Sequence, residues 1–133
     1  MREPVTAAPT ILVIDDDPSI VNLIKENLES IGYQVSCGYD GQAAIQLARQ
    51  LSPNLIIMDV NMPMTNGINA FKFLRAAKET AHIPVIFVSG ELSKDVYPMI
   101  SSASRVAHLK KPMDLDHLNS MVHSFITRYP APR

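Results

Sequence analysis

The chain has 133 residues, enough for one domain that removes roughly two thirds of its extended-chain surface from water on folding. Its formal net charge of −1 and pI near 6.4 give no electrostatic reason to expect nucleic acid or an anionic membrane as a partner. No apolar run approaches the ~20 residues of a membrane span, the start Met1-Arg2-Glu3-Pro4 has no signal-peptide core, and the lone Cys37 excludes an internal disulfide, so a cytoplasmic protein is expected.

Residues 1–10 and 130–133, each with two prolines, read as a flexible N-terminal arm and a flexible tail around one folded unit at 11–129. The first apolar run, Ile11-Leu12-Val13-Ile14, has the length of a buried strand and ends in Asp15-Asp16-Asp17. Asp17 suits a helix cap, Pro18 the first helical position, and Gly32 the end of that helix. At about 100° per residue, Ile20, Val21, Ile24, Leu28 and Ile31 fall in one stripe and Leu23 lies off its edge. A second strand is expected over 33–37, where Tyr33, Val35 and Cys37 alternate. The next helix opens at Asp40-Gly41, carries Ala44, Leu47, Ala48 and Leu51, and stops before Pro53.

The third run, Leu55-Ile56-Ile57-Met58, leads into Asp59, and a helix follows Asn66-Gly67 with Phe71 and Leu74 inward. Val85-Ile86-Phe87-Val88 leads into Ser89. The segment Ser93–Ser102 carries Pro98, which a helix accepts only in its first turn, so a helix there is short or starts late, at Asp95. Val106 to Leu109 leads to Lys110-Lys111-Pro112, and the last helix follows Asp114 with Leu115, Leu118, Val122, Phe125 and Tyr129 at helical spacing.

Strands alternating with helices give an α/β fold, a doubly wound parallel sheet with helices on both faces. Ligands of such sheets sit at the carboxyl ends of the strands, so one crevice should hold an acid cluster, a further acid, a hydroxyl and an ammonium. Asp15, Asp16 and Asp59 repel one another at close range, which makes the cluster stable mainly with a cation. Mg²⁺ suits this all-oxygen ligand set. Asp59 is placed to attack a phosphoryl group and become an aspartyl phosphate, while Lys111 and the Ser89 hydroxyl meet the equatorial oxygens. Taken singly, an acid after a strand is a cap, a serine a turn former and Lys-Pro a surface turn. Asp17 is best read as such a cap, and His82, His117 and His123 carry no metal-ligand spacing. The joint occurrence at four strand ends is what points to function.

At these residues, over about positions 10 to 128, the sequence resembles the receiver domain of two-component response regulators. The acid pair corresponds to Asp15 and Asp16, the phosphoacceptor to Asp59 within Asp59-Val60-Asn61-Met62-Pro63, the following glycine to Gly67, the switch hydroxyl to Ser89 and the lysine before proline to Lys111. The resemblance implies a five-stranded sheet of order 2-1-3-4-5, the CheY-like arrangement, and a cis peptide at Lys111-Pro112. It implies that Asp15, Asp16, Asp59 and the backbone carbonyl of Asn61 hold Mg²⁺. It also implies a histidine kinase or histidine phosphotransfer domain as donor, a downstream protein as target, and side chains at Asn61 and Glu91 that tune self-hydrolysis. Leu23, near the acids, is the expected donor contact.

Three departures stand out. His108 replaces the usual aromatic three residues before the lysine and is a candidate pH-sensitive switch; Ser104-Arg105 replaces the usual Gly-Ala; and Pro98 interrupts its helix. No output domain follows the last helix in this sequence, so the unit acts alone, relays phosphate, or belongs to a longer protein. Two other readings stay open from the residues: a haloacid-dehalogenase-type phosphohydrolase with Asp15 as nucleophile, and an interaction module that needs no phosphorylation.

Overall fold

The apolar runs form the strands of one sheet, and a computed structural model describes residues 8–62, 66–90, 97–98 and 103–130. In chain order the elements are β1 (Thr10–Ile14), α1 (Pro18–Ser30), β2 (Gln34–Gly38), α2 (Gly41–Leu51), β3 (Leu55–Asp59), α3 (Gly67–Ala76), β4 (Val85–Ser89), β5 (Val106–Lys110) and α4 (Leu115–Arg128). All pairs are parallel, in the order β2-β1-β3-β4-β5. Tyr97 and Pro98 are helical, and the remainder of the expected helix around them lies outside the described residues.

Alternation along the strands divides the core in two. Leu12, Ile14, Ile56, Met58, Val85 and Phe87 point to the side covered by α2 and α3, where Ala44, Ala48, Phe71 and Leu74 meet them. Ile11, Val13, Leu55, Ile57, Ile86 and Val88 point to the side covered by α1 and α4, against Val21, Ile24, Leu28, Leu118, Val122 and Phe125. Burying one such side chain contributes about 1.5–3 kcal/mol, so the two layers together hold the strand ends in fixed positions. Tyr33, Val35 and Cys37 pack half-buried on the second layer, as their alternation predicts.

The edges differ from the sequence reading in small ways. β1 begins a residue early, at Thr10, β2 is shifted by one, and β3, β4 and β5 run one residue past their apolar stretches to take in Asp59, Ser89 and Lys110. Backbone pairing continues through a polar residue, whereas the hydrophobic signal stops before it. Ile31, placed in the apolar stripe of the first helix, is 49% exposed, and Leu51 is 41% exposed. Ile31 is the C-cap of α1 and Leu51 the last residue of α2, where the chain turns away and helical periodicity no longer assigns a face.

Arg105 shows what its replacement of the usual residue does. It adopts φ 62°, the left-handed region that costs a non-glycine residue roughly 1–2 kcal/mol. In return its guanidinium donates to the His82 carbonyl at 3.1 Å and stacks 4.9 Å from the Tyr129 ring, tying the start of β5 to the approach to β4 and the end of α4. Its carbonyl accepts from Val85 N at 2.9 Å. Beside it, Arg75 donates to the Ile83 carbonyl at 2.6 Å and lies over Phe71, and burial plus the Arg105 charge bring its pKa down to about 10. Removing the Arg105 side chain should therefore cost stability, but Arg105→Gly, which relieves φ, should cost about 1 kcal/mol less than Arg105→Ala. Urea denaturation of both variants checks this; Ala at least as stable as Gly would show that the backbone there is unstrained.

Candidate functional site

The site sits where β1, β3, β4 and β5 end together. Asp15 follows β1 and Asp59 closes β3, only 3% and 6% exposed respectively. Asp16 stands beside them on the surface, and one carboxylate oxygen from each of the three lies within 4.8 Å of the others. Local backbone groups aim the two buried acids: Asp17 N donates to Asp15 Oδ1 at 3.0 Å and Asn61 N to Asp59 Oδ1 at 3.1 Å. Asp17 takes the cap, accepting from Ser19 N at 2.9 Å and from the Ser19 hydroxyl at 2.7 Å, bonds that hold its carboxyl below the usual range.

Lys111 answers the charge. Its Nζ donates to Asp15 Oδ2 at 2.9 Å and to Asp59 Oδ2 at 3.4 Å, bridging residues 96 and 52 positions away. The backbone is fixed by Lys111 N donating to the Ser89 carbonyl at 2.8 Å, and the Lys111-Pro112 peptide is cis. Burial pushes the Asp15 carboxyl above its ordinary pKa, and the Asp17 amide and Lys111 recover only part of that. Burial also opposes the ammonium, yet bonding and charge from Asp15 and Asp59 more than offset it, so the Lys111 pKa is raised. Lys111 is thus firmly cationic at neutral pH.

Three oxygen ligands converging on one point, two of them buried, with neither histidine nor cysteine among them, fit a hard divalent cation. Ser89 is fully buried at the end of β4, and its Oγ lies 3.1 Å from His108 Nε2. His108 is half-buried, and burial, then the Lys110 charge, lower its pKa. The sequence reading named both residues but not their contact. Glu91 lies outside the described residues, and so does Pro63.

Beside the acids runs an apolar groove of about 400 Å³ lined by Ile20, Leu23, Lys111, Pro112 and Met113. Leu23 is 49% exposed there. Sequence periodicity picked out Leu23 alone. Ile20 lies at the edge of its stripe and is only partly covered, and no local signal marks Pro112 and Met113 as its neighbours. A second cavity, of about 320 Å³, is lined by Asn54, His82, Pro84 and Tyr129 among others; it contains no carboxylate and lies near the strand starts, away from this chemistry.

Residues 11–123 match the response regulator receiver domain family. The chain is 36% identical over 122 residues to the DNA-binding dual master transcriptional regulator RpaA of Synechocystis, a match spanning 90% of this chain and 50% of that protein. It therefore spans half the length of that relative. Among solved structures, the chemotaxis protein CheY4 of Vibrio cholerae superposes with TM-score 0.82 at 26% identity, covering 90% of this chain and 99% of that one. The receiver domain of the sensor histidine kinase PA1611 of Pseudomonas aeruginosa, which holds a magnesium ion in its active-site cleft, gives TM-score 0.81 at 26% identity over 91% and 99%. No helix among the described residues is long and apolar enough to cross a membrane.

Proposed function

The chain belongs to the response regulator receiver domain family, and we propose that within it Asp59 is the residue that becomes phosphorylated. The family is one of signalling domains rather than conventional enzymes. The observation that carries the assignment is the Lys111 ammonium bridging Asp15 and Asp59, because it joins a nucleophile-bearing strand end to the cation that a transferred phosphoryl group needs. In the transfer an Asp59 carboxylate oxygen forms the new O–P bond while the bond from phosphorus to the donor breaks. On this reading Lys111, whose Nζ faces Asp59 Oδ2, and the Ser89 hydroxyl at the end of the next strand meet the equatorial oxygens, and the Asn61 amide keeps the Asp59 carboxylate in one orientation.

Asp15, Asp16 and Asp59, with the Asn61 carbonyl, are the groups that would hold Mg²⁺, which would neutralise charge developing on the phosphoryl oxygens. Labelling with acetyl phosphate should accordingly require Mg²⁺, disappear with EDTA, and map to Asp59 by mass spectrometry. Label on Asp15 would instead favour the phosphohydrolase reading, against which the chain carries Lys110-Lys111-Pro112 after its last strand where that class needs metal-holding carboxylates. Labelling without any dependence on the metal would overturn the ligand assignment. Asn61 and Glu91 are the positions proposed to set the rate of self-hydrolysis.

The natural donor on this reading is a histidine kinase or histidine phosphotransfer domain, and the unit at 11–129 acts in the cytoplasm on a protein target. A donor must approach Asp59 across the groove, so its helix would cover Leu23, Ile20 and Met113. Leu23→Ala should slow transfer from a protein donor by about tenfold, the effect of losing one well-packed apolar contact, and leave acetyl phosphate labelling unchanged. Equal slowing with both donors would make Leu23 structural.

A further inference from the structure

The Ser89 hydroxyl has one proton to donate, and His108 stands where it can take it. The register of β4 and β5 pairs Phe87 with His108 and Ser89 with Lys110. Side chains at 87, 89, 108 and 110 therefore share a face of the sheet, and Ser89 Oγ reaches back along it to His108 Nε2 at 3.1 Å. Ser89 is fully buried. The imidazole is half-buried, and burial together with Lys110 favours its neutral form, which has one ring nitrogen able to accept. A phenylalanine would fill the same space and accept nothing.

We propose that His108 is a positioning residue that holds the Ser89 hydroxyl in reserve: its Nε2 accepts the serine proton, and Ser89 bonds a phosphoryl oxygen on Asp59 only by releasing the histidine. The inference rests on the reading of Ser89 as a phosphate-binding hydroxyl. It assigns the neutral tautomer with the proton on Nδ1, since only that form accepts at Nε2. The exchange costs one neutral hydrogen bond, so the latch weakens the phosphorylated-like state by about two- to tenfold. His108 then does more than occupy the position of an aromatic ring: it sets how readily the domain switches.

The test uses the full chain and beryllofluoride with Mg²⁺, a phosphoryl mimic whose apparent affinity is measured by calorimetry for wild type, His108→Phe, Ser89→Ala and the double variant. His108→Phe should bind the mimic about two- to tenfold more tightly, Ser89→Ala more weakly than wild type, and in the Ser89→Ala background His108→Phe should change nothing. The same gain in both backgrounds, or no gain in either, would overturn the latch. A Ser89→Ala protein that binds like wild type would instead remove the reading of Ser89 on which the inference stands. Should the phenylalanine variant fold poorly, the ¹⁵N shifts of His108 in the wild type decide alone: a neutral ring protonated on Nδ1 supports the latch, and one protonated on Nε2 refutes it.

Discussion

Asp59→Asn protein incubated with acetyl phosphate and Mg²⁺ carries no label above background, while wild type labels on this residue. The substitution keeps an oxygen that can still accept from the Asn61 amide, now 3.1 Å from Asp59 Oδ1, so the loop geometry has no reason to change. What it removes is the anionic oxygen facing Lys111 at 3.4 Å, and an amide nitrogen is no nucleophile towards phosphorus. The loss is therefore complete rather than partial, because no residual positioning substitutes for an absent nucleophile. Stability should not suffer. Two carboxylates a few Å apart repel by about 4 kcal/mol at 4 Å and an effective dielectric near 20, a figure that Lys111 between them reduces, so neutralising one relieves the folded state. An Asp59→Asn protein that is as stable as wild type or more so, and unlabelled, fits the assignment. Labelling of that variant at the wild-type rate, or wild-type label found on Asp15 or Asp16, overturns it.

Much of this site was legible in the sequence because its parts lie at element ends, where local signals are strongest. A run of four apolar residues followed by Asp59 or Ser89 marks both the strand and the candidate functional side chain at its end. Asp17 was separable from its neighbours for the same reason: Pro18 and the following stripe identify a helix start, and the structure shows the cap bonds to Ser19. The relations between strands were not legible from periodicity. That Lys111 reaches Asp15, 96 residues away, depends on β3 lying between β1 and β4, and that order came from the resemblance. The Ser89–His108 contact depends on β4 and β5 being neighbours in register; the two apolar runs align as the strands do, Val85 with Val106, but nothing within either run says that they pair. The groove around Leu23 likewise joins α1 to the residues after β5, a pairing of surfaces that neither helix pattern nor turn chemistry encodes.

Gly67→Ala should damage stability and labelling together, since this glycine is where α3 starts against the site's own backbone. Asn66 caps the helix by accepting from Asn69 N at 2.8 Å, and Gly67 N donates to the Val60 carbonyl at 3.0 Å, folding the chain back onto the end of β3. A Cβ at position 67 would overlap the Asp59 carbonyl oxygen and lie 3.1 Å from both the Asp59 carbonyl carbon and Val60 Cα. These are backbone atoms of a buried strand, which cannot rotate aside as a flexible side chain would. The connection from β3 to α3 must shift instead, at a cost of about 2–4 kcal/mol. The same shift moves Asn61, whose amide fixes the orientation of the Asp59 carboxylate, so labelling should slow by at least tenfold although no reacting group has been altered. Gly90→Ala is the control, because a Cβ there meets nothing within 4 Å among the described residues, and it should change stability by less than about 0.5 kcal/mol. Urea denaturation and the rate of acetyl phosphate labelling measure both effects. A Gly67→Ala protein as stable as Gly90→Ala would mean the helix start can slide outward freely, and normal labelling by a destabilised Gly67→Ala protein would mean the Asn61 amide does not govern the aim of Asp59.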